Sequence, residues 1–346
     1  MERVELAYAR HLLDRPGGAF AAIDWRGRLR DISPAALRSA LAGGPPPAPQ
    51  GPLAWPAGCI VSMVAHHGLH RGRAIARLRA QGARFVPAVH DLIPLELPDS
   101  TRWVQRRLTL ARMRNVGRQA DGVLVFSQTV RQSLLDFLAR HGLPSPPILV
   151  APLGLDLPVA APLAPGPPYF LCIATIERRK NHAMLLEAWQ RMGPTAPRLV
   201  LVGRRSFGAG RALRLLDAGA LPMVEERGFC TDAELAALLA GAHALLLPSQ
   251  AEGFGIPVAE ALAVGTPVIA SQAPALRETG QGVPDHLPAD DPAAWAERVT
   301  GYAQAGSPER AAQMRRMASY RPPGWPAHFE AVEAFLKGLA PRLPKL

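Results

Sequence analysis

Residues 243–271 read HALLLPSQAEGFGIPVAEALAVGTPVIAS, and they contain one complete strand–loop–helix–strand unit. The apolar runs at 243–249 and 267–271 predict two buried strands, and residues 257–264 between them predict a short helix. A strand that returns through a helix to a second strand is typical of a parallel sheet. The stretch therefore predicts a βαβ unit whose first loop contains Glu252, Gly253 and Gly255.

The same alternation of strands and helices extends over most of the chain. In the C-terminal half, the pattern predicts strands at 169–175, 198–203 and 222–229 and helices at 182–192, 209–218 and 232–241. In the N-terminal half, it predicts strands at 59–67, 83–91, 121–128 and 147–154 and helices at 69–81, 100–119 and 128–140. We therefore expect an α/β protein with two doubly wound, Rossmann-like domains that face one another across a cleft.

The remaining segments connect or precede these two halves. Residues 155–168 carry proline at nearly every third position and predict an interdomain linker. The chain opens with an amphipathic helix, followed by two short alternating runs that predict a hairpin about Arg26 and Gly27. A proline-rich connector at 43–52 separates this hairpin from the first strand of the N-terminal half.

Charge and cysteine content limit the classes of function. The 346 residues carry a formal charge of +11, with 36 arginines and only three lysines, which is the skew that GC-rich coding produces. The charge favours anionic ligands or an anionic membrane surface, but no motif for nucleic-acid binding accompanies it. The cysteines lack zinc spacing, and no apolar run reaches the roughly 18 residues that cross a bilayer. We expect a cytoplasmic protein without a nucleic-acid partner.

Two loops after predicted strands of the C-terminal half carry cations. Arg178, Arg179 and Lys180 precede Asn181, which we predict to be the N-cap of the next helix. Cations beside a helix N-terminus form an anion site, although an exposed basic turn would have the same sequence. Gly203 opens a second basic loop, to which the same alternative applies.

Two further loops carry carboxylates and a histidine. Gly253 and Gly255 let the backbone approach a ligand, and amides at the start of the following helix would bind a phosphate. Glu252 and Glu260, the latter expected in the first helical turn, would contact different parts of one ligand, or would simply be favourable charges near a positive helix end. His90 ends a predicted strand in the N-terminal half, where a lone histidine is often only a hydrogen-bonded core residue.

These residues resemble a known family. The stretches TIERRKNH (175–182), LVGRR (201–205), HDLIP (90–94) and 241–271 resemble the nucleotide-sugar-dependent glycosyltransferases of family 4, two-domain GT-B enzymes that retain anomeric configuration. VHDLIPL is most similar to bacterial members, often mannosyltransferases, that build surface polysaccharide or O-antigen chains. The resemblance runs from about residue 60 onward. It implies an N-terminal acceptor-side domain over 1–157, a nucleotide-sugar-binding domain over 158–320, and a closing helix within 321–346.

The resemblance also implies a role for each matching residue, and the residues that it assigns to catalysis are Arg179, Lys180, Glu252 and His90. Arg179 and Lys180 would offset charge on the departing diphosphate, and Glu252 would contact the donor sugar. Glu260 would bind ribose hydroxyls, and His90 would lie beside the far hydroxyl of the donor sugar. The other predicted donor-binding residues are Gly203, Arg204, Gly228, Phe229, Ser249, Gly253, Phe254, Gly255 and Ile256.

The implied activity is transfer of a hexosyl group from a nucleotide-diphosphate sugar to a saccharide or a lipid-linked saccharide. The resemblance implies no metal cofactor, because cations and a helix terminus replace the metal, and no DxD motif is present. Residues 3–13 resemble the family's first helix, which normally follows a strand, so we expect that strand to be missing from this sequence.

Two other interpretations remain open. One is a catalytically impaired paralogue that binds nucleotide sugar. The other is a basic module that binds a membrane or nucleic acid through residues 100–119, which contain six arginines and no acid. On this second interpretation the helix would lie against anionic headgroups at the inner face of the cytoplasmic membrane, although a solvated arginine face would have the same sequence.

Overall fold

The first elements of the chain form a helix, a hairpin and a second helix. The computed structural model describes residues 3–13, 15–23, 28–53, 56, 58–156, 167–206 and 208–339. The elements are α1 (Arg3–Leu13), β1 (Phe20–Ile23), β2 (Leu29–Ile32) and α2 (Pro34–Leu41). β1 and β2 pair antiparallel, which confirms the hairpin. Its predicted turn at Arg26 and Gly27 lies outside the described residues.

A four-stranded parallel sheet forms the centre of the N-terminal domain. Its elements are β3 (Ile60–Met63), α3 (Gly72–Ala80), β4 (Arg84–Val89), α4 (Ile93–Glu96), α5 (Trp103–Gln119), β5 (Val123–Val125), α6 (Gln128–Arg140) and β6 (Ile148–Val150). The strands pair in chain order, and apolar clusters cover both faces of the sheet. β3 ends at Met63, earlier than predicted, because Met63 lies opposite Pro87, which has no N–H to continue the ladder.

A six-stranded parallel sheet forms the centre of the C-terminal domain. Its elements are β7 (Tyr169–Ile173), α7 (His182–Met192), β8 (Arg198–Val202), α8 (Gly210–Asp217), β9 (Val224–Arg227), α9 (Asp232–Gly241), β10 (Ala244–Leu247), α10 (Ile256–Ala263), β11 (Val268–Ser271), α11 (Pro274–Gly280) and β12 (Asp285–Leu287). The strand order is β12-β11-β10-β7-β8-β9, with an apolar cluster on each face. This doubly wound arrangement confirms the predicted Rossmann-like domains.

The direction of winding reverses between β7 and β10, which are neighbours in the sheet. Strands that follow β7 are added on one side, and the strands that follow β10 are added on the other. At such a switch point the chain continues from the two central strands toward opposite sides of the sheet, which leaves a crevice at their carboxyl ends in which ligands bind. The loops that contain Lys180 and Glu252 are therefore the two that border this crevice.

Three helices follow the second sheet, and the last one returns to the N-terminal domain. They are α12 (Pro292–Ala303), α13 (Pro308–Met317) and α14 (Trp325–Gly338). On α14, His328 pairs through Nε2 with the Tyr8 hydroxyl at 2.9 Å and through Nδ1 with the Pro152 carbonyl at 3.0 Å. Phe329 packs among residues of α1 and of the N-terminal sheet. Helix α14 therefore lies against the N-terminal domain, and its identity as the closing helix of the family stays a prediction. The predicted linker at 155–168 lies mostly outside the described residues.

We predict that Gly154→Ala weakens the attachment of α14. A Cβ at this position would lie closer than 3.0 Å to backbone and ring atoms of Trp325, so the helix must shift. We expect the free energy of unfolding, measured by urea denaturation, to fall by roughly 1–3 kcal/mol. Gly338→Ala is the control, because a Cβ there meets no atom within 4 Å. Equal stability of the two variants would contradict this packing.

Candidate active site

The loops after β7 and β10 meet through one buried carboxylate. Glu252 accepts a hydrogen bond from Lys180 Nζ at 2.5 Å through Oε1, and one from Arg179 Nη1 at 3.2 Å through Oε2. The Glu252 side chain is 9% exposed. Because β7 and β10 are adjacent, residues 72 positions apart come together at the switch point. The structure therefore joins three of the four residues that the sequence assigned to catalysis.

The two cations determine the charge state of Glu252. Burial alone would raise the pKa of Glu252, but Lys180 and Arg179 outweigh it and hold this pKa below its ordinary value. Ser249 is fully buried, and its hydroxyl further lowers the pKa of Glu252. The cluster is thus an ionised carboxylate between two cations, which is an arrangement that suits an anionic, polyhydroxylated ligand.

Asn181 connects this cluster to the rest of the domain. Its backbone is left-handed, with φ of 61°, and it stands at the N-cap position of α7. The predicted N-cap position is confirmed, although the Asn181 side chain makes no bond to the helix amides. Instead, its amide donates to the carbonyls of Pro248, at 3.3 Å, and Ala289, at 2.5 Å. Asn181 therefore holds the basic turn against the loop that leads to Glu252.

The glycine loop after Glu252 lies directly against the N-terminal domain. A Cβ on Gly253 would lie closer than 3.0 Å to the His90 carbonyl oxygen, and the Ser127 hydroxyl donates to the Gly253 carbonyl at 2.6 Å. Gly255 takes φ of 90° at the N-cap of α10, a conformation that favours glycine. Both glycines are therefore required by geometry, one by a close approach between domains and one by its backbone angle.

Glu260 occupies a different place from the one predicted. It lies in the second turn of α10 rather than the first, and its buried side chain forms an ion pair with Arg3 of α1. Arg3 also pairs with Asp232 at 2.9 Å. Burial raises the pKa of Glu260, and the Arg3 charge opposes that effect. No sequence signal connects residues 3 and 260, so Arg3 was missed as a neighbour of the candidate site.

The His90 ring is hydrogen-bonded to its own domain. Its Nε2 lies 2.6 Å from the Val64 carbonyl, and its backbone N–H donates to His66 Nε2 at 3.0 Å. This matches the alternative of a hydrogen-bonded core histidine. Contact with a donor sugar stays a prediction for His90.

The other predicted donor-binding residues differ in how exposed they are. Phe254 is 8% exposed and packs in the apolar cluster of the N-terminal domain, against which Ile256 also packs. Arg204 is exposed, and Phe229 is 83% exposed on the loop that follows β9. A Cβ on Gly203 would lie closer than 3.0 Å to the Ala174 carbonyl oxygen, whereas a Cβ on Gly228 would meet no atom within 4 Å. Their roles toward a donor stay predictions.

A cavity of about 440 Å³ opens between the domains beside the carboxylate cluster. Its polar lining comes from both domains: Asp91, Ser100, Thr101, Arg102, Gln105, Glu177, Arg179 and Ser206. The Asp91 Oδ1 accepts from the Ile93 amide at 3.1 Å, and burial raises the pKa of Asp91 despite the nearby Arg179. Asp91 directly follows His90 in the sequence, so a search of that loop for carboxylates would have found it.

Further contacts between domains surround the site. The Glu278 carboxylate accepts from the amides of Gln128, at 2.6 Å, and Thr129, at 3.1 Å. A carboxylate at the start of α6 also interacts favourably with the helix dipole. In the basic turn, Arg178 Nη1 donates to the Asp99 carbonyl at 3.0 Å. These hydrogen bonds link the two domains at two places.

Neither a metal-binding cluster nor a membrane-spanning helix occurs in the described part of the chain. No group of three or more His, Cys, Asp or Glu side chains there is arranged to hold a metal ion. Among the same residues, no helix combines the length and the apolar character needed to cross a membrane. The expectation of metal-independent activity stays a prediction.

We predict that Glu252→Gln destabilises the protein in a pH-dependent way. The neutral amide leaves Lys180 and Arg179 without their buried counter-charge, which costs on the order of 3 kcal/mol near pH 7. Because the pKa of Glu252 is lowered, its stabilisation is present above the unfolded carboxyl pKa and is lost as pH falls through the folded value. Urea denaturation should show the free energies of unfolding of parent and variant converging as the pH falls below about 5.

The control for this measurement is Glu333→Gln. Glu333 pairs with His11 at 2.9 Å at the surface, where solvent screens the interaction. We expect its loss to change stability far less than the loss of Glu252. A similar effect of both substitutions, or a Glu252→Gln deficit that does not depend on pH, would show that Glu252 is not held ionised by the two cations.

The site belongs to a domain that matches a known family. Residues 167–304 match the family model of glycosyl transferases group 1. The match spans β7 through α12 and includes Arg179, Lys180 and Glu252. It identifies a glycosyltransferase domain in the C-terminal half of the chain.

Two relatives are named as mannosyltransferases. The chain is 28% identical over 232 residues to the serotype-specific mannosyltransferase WbdA of Escherichia coli, covering 60% of this chain and 28% of WbdA. It is 28% identical over 227 residues to the MMP alpha-(1->4)-mannosyltransferase of Mycolicibacterium hassiacum, covering 62% of this chain and 54% of that protein. The chain thus spans about a quarter to a half of the length of these relatives.

Solved structures establish the fold. HepE from Anabaena in complex with UDP-glucose has a TM-score of 0.63 and 17% identity, with 80% of this chain and 78% of HepE covered. At this identity the likeness concerns the fold alone. The chain has the GT-B fold, with two Rossmann-like domains that face one another across a cleft.

Proposed function

We propose that this protein transfers a mannosyl group from a nucleotide-diphosphate sugar to a saccharide or a lipid-linked saccharide, in cell-surface polysaccharide synthesis. The observation that carries the proposal is the cluster of Arg179, Lys180 and Glu252 at the switch point of a glycosyltransferase domain. The names of the two mannosyltransferase relatives support the sugar. The complex of HepE with UDP-glucose supports a nucleotide sugar as the class of donor.

The donor diphosphate would lie between Arg179, Lys180 and the amides that begin α10. As the bond from the anomeric carbon to the diphosphate breaks, its electron pair leaves with the phosphate oxygen, and both cations stabilise the resulting charge. Glu252 would accept hydrogen bonds from sugar hydroxyls while it keeps the cations in place. Retention of configuration requires the acceptor oxygen to attack from the same face that the diphosphate leaves.

The acceptor would enter the cavity between the domains. Carboxylates, hydroxyls and an amide line it, and these groups bind polyhydroxylated molecules well. Asp91 reaches the cavity from the strand end that also carries His90, and Arg179 lines both the cavity and the donor cluster. We infer that the Asp91 carboxylate accepts a hydrogen bond from the attacking hydroxyl and so orients it, while the proton passes to the departing phosphate.

The place of action follows from the acceptor. A lipid-linked saccharide is presented at a bilayer surface, and nucleotide sugars are cytoplasmic metabolites. We therefore infer that the protein acts in the cytoplasm, beside the inner face of the cytoplasmic membrane. Nucleic acid has no role in this proposal.

A second candidate is a paralogue that binds nucleotide sugar without transferring it. The observation in its favour is the close contact of Gly253 with the His90 carbonyl, together with the pairing of Glu260 with Arg3. Both contacts occupy positions that a donor would need. This candidate predicts a rise in melting temperature with a donor but no turnover.

We predict that a mannosyl donor stabilises the protein and is consumed. Among nucleotide sugars that include GDP-mannose and UDP-glucose, a mannosyl donor should raise the melting temperature most, because only the folded state binds it. Lys180→Ala should lower the transfer rate by about 10²–10³-fold, since one stabilising cation is lost. Lys337→Ala, on the exposed face of α14, is the matched control and should leave both quantities unchanged.

The outcomes of this experiment separate the candidates. Donor binding and donor turnover that both depend on Lys180 support the transferase. Donor binding without turnover supports the paralogue that binds nucleotide sugar without transferring it. If no nucleotide sugar raised the melting temperature, or if Lys180→Ala turned over donor as fast as the parent, the assignment of the site would be wrong.

We predict that Asp91→Asn impairs acceptor use more than donor binding. The amide keeps the shape of the side chain but is a weaker acceptor for a hydroxyl hydrogen bond, so we expect the acceptor kcat/KM to fall by about tenfold or more. The donor-induced shift in melting temperature should stay the same. Asp99→Asn, an exposed carboxylate near the cavity, is the control. A loss of donor binding in Asp91→Asn would place this residue at the donor instead.

A further inference from the structure

Helix α5 presents an exposed row of side chains along one face. Trp103, Arg107, Arg114 and Arg118 are all exposed, and their spacing places them within a narrow arc of the helix surface. The row extends for about 22 Å. We call these four residues the α5 basic face.

Exposed hydrophobic side chains accompany the α5 basic face at the start of the helix. This distinguishes it from a helix face that carries only solvated charged side chains. Trp103 is 67% exposed and Val104 is 45% exposed, which makes them two of the five large hydrophobic residues exposed in the described chain. The Arg107 guanidinium lies over the Trp103 ring, 5.6 Å from its centroid. Tryptophan beside arginine suits the headgroup region of a bilayer, where the ring meets the acyl boundary and the cation meets phosphate.

The neighbouring helix α3 also carries exposed arginines. Asn115 and Gln119 of α5 donate to the carbonyls of Leu69, at 2.9 Å, and Gly72, at 3.2 Å, which attaches the start of α3 to α5. Arg73 and Arg77 on α3 are exposed. Neither helix contains an acidic residue, while Glu96 and Asp99 precede α5 and Asp136 lies on α6. The surface therefore complements an anionic plane.

We propose that the α5 basic face docks the protein onto an anionic lipid bilayer, with Trp103 inserted at the interface and the arginines of α5 and α3 against lipid phosphates. Each basic residue near such a surface contributes to binding, and the effect decreases with salt. Arg102 and Gln105, which flank Trp103 and Val104, line the acceptor cavity. Docking thus places the cavity at the level of the lipid headgroups. The use of this position for transfer to an acceptor rests on the proposed function, whereas docking itself does not.

The test measures binding of the full chain to vesicles, without donor or acceptor. We expect the protein to co-sediment with vesicles that contain phosphatidylglycerol, to bind phosphatidylcholine vesicles weakly, and to dissociate as salt is raised. The double variant Trp103→Ala/Arg107→Ala should lower the partition coefficient by about tenfold or more. Its melting temperature and its transfer to a soluble acceptor should stay at parent values.

A matched control comes from the C-terminal domain. Met314 is 41% exposed and is followed by an exposed arginine on α13, so Met314→Ala/Arg315→Ala removes the same kinds of side chain elsewhere. This variant should bind vesicles like the parent. The proposal is wrong if the parent does not bind anionic vesicles, or if both double variants lose vesicle binding equally. It is also wrong if the α5 substitutions abolish binding to a DNA duplex but not to vesicles, because the face would then recognise nucleic acid.

Discussion

The pairing of Glu252 with Lys180 and Arg179 joins the two loops on which the candidate site depends. A buried charge costs several kcal/mol unless opposite charge and hydrogen bonds compensate it, so each member of the cluster requires the others. That requirement is met where β7 and β10 lie side by side, because the loops after neighbouring parallel strands leave the same edge of the sheet. The same cations that stabilise the loops in the absence of a ligand are the groups that a diphosphate would bind.

Contacts between the domains add a second constraint. Gly253 lies against the His90 carbonyl, and Glu278 accepts a hydrogen bond from the start of α6, so the two domains are in direct contact at two places. A space that excludes one Cβ atom also excludes a sugar ring. Binding of a donor between these residues therefore requires the loop or the domains to move apart. The ion pair of Arg3 with Glu260 must rearrange in the same step if ribose hydroxyls are to reach Glu260.

Local signals decided how well each element could be predicted. The helices at 128–140, 182–192 and 232–241 were predicted with their observed bounds, and the last has a complete capping box at Thr231. The helices α2, α11, α12 and α13 were not predicted. Each begins with proline at its first position, and three follow a serine or aspartate cap, which is a helix-start signal that the sequence does contain. The strands are shorter than predicted because pairing with neighbours, which apolar runs do not encode, determines where a ladder ends.

The sequence by itself determined the alternation of strands and helices, the two-domain α/β architecture, and the identity of Arg179, Lys180 and Glu252 as candidate site residues. These features are local, because periodicity and strand-end loops are properties of short segments. Only the tertiary structure decided which loops meet, that Arg3 pairs with Glu260 across 257 positions, and that Asp91 faces the same cavity as Arg179. Those outcomes depend on strand order and on the packing of one domain against the other, and no spacing within a single segment specifies either of them.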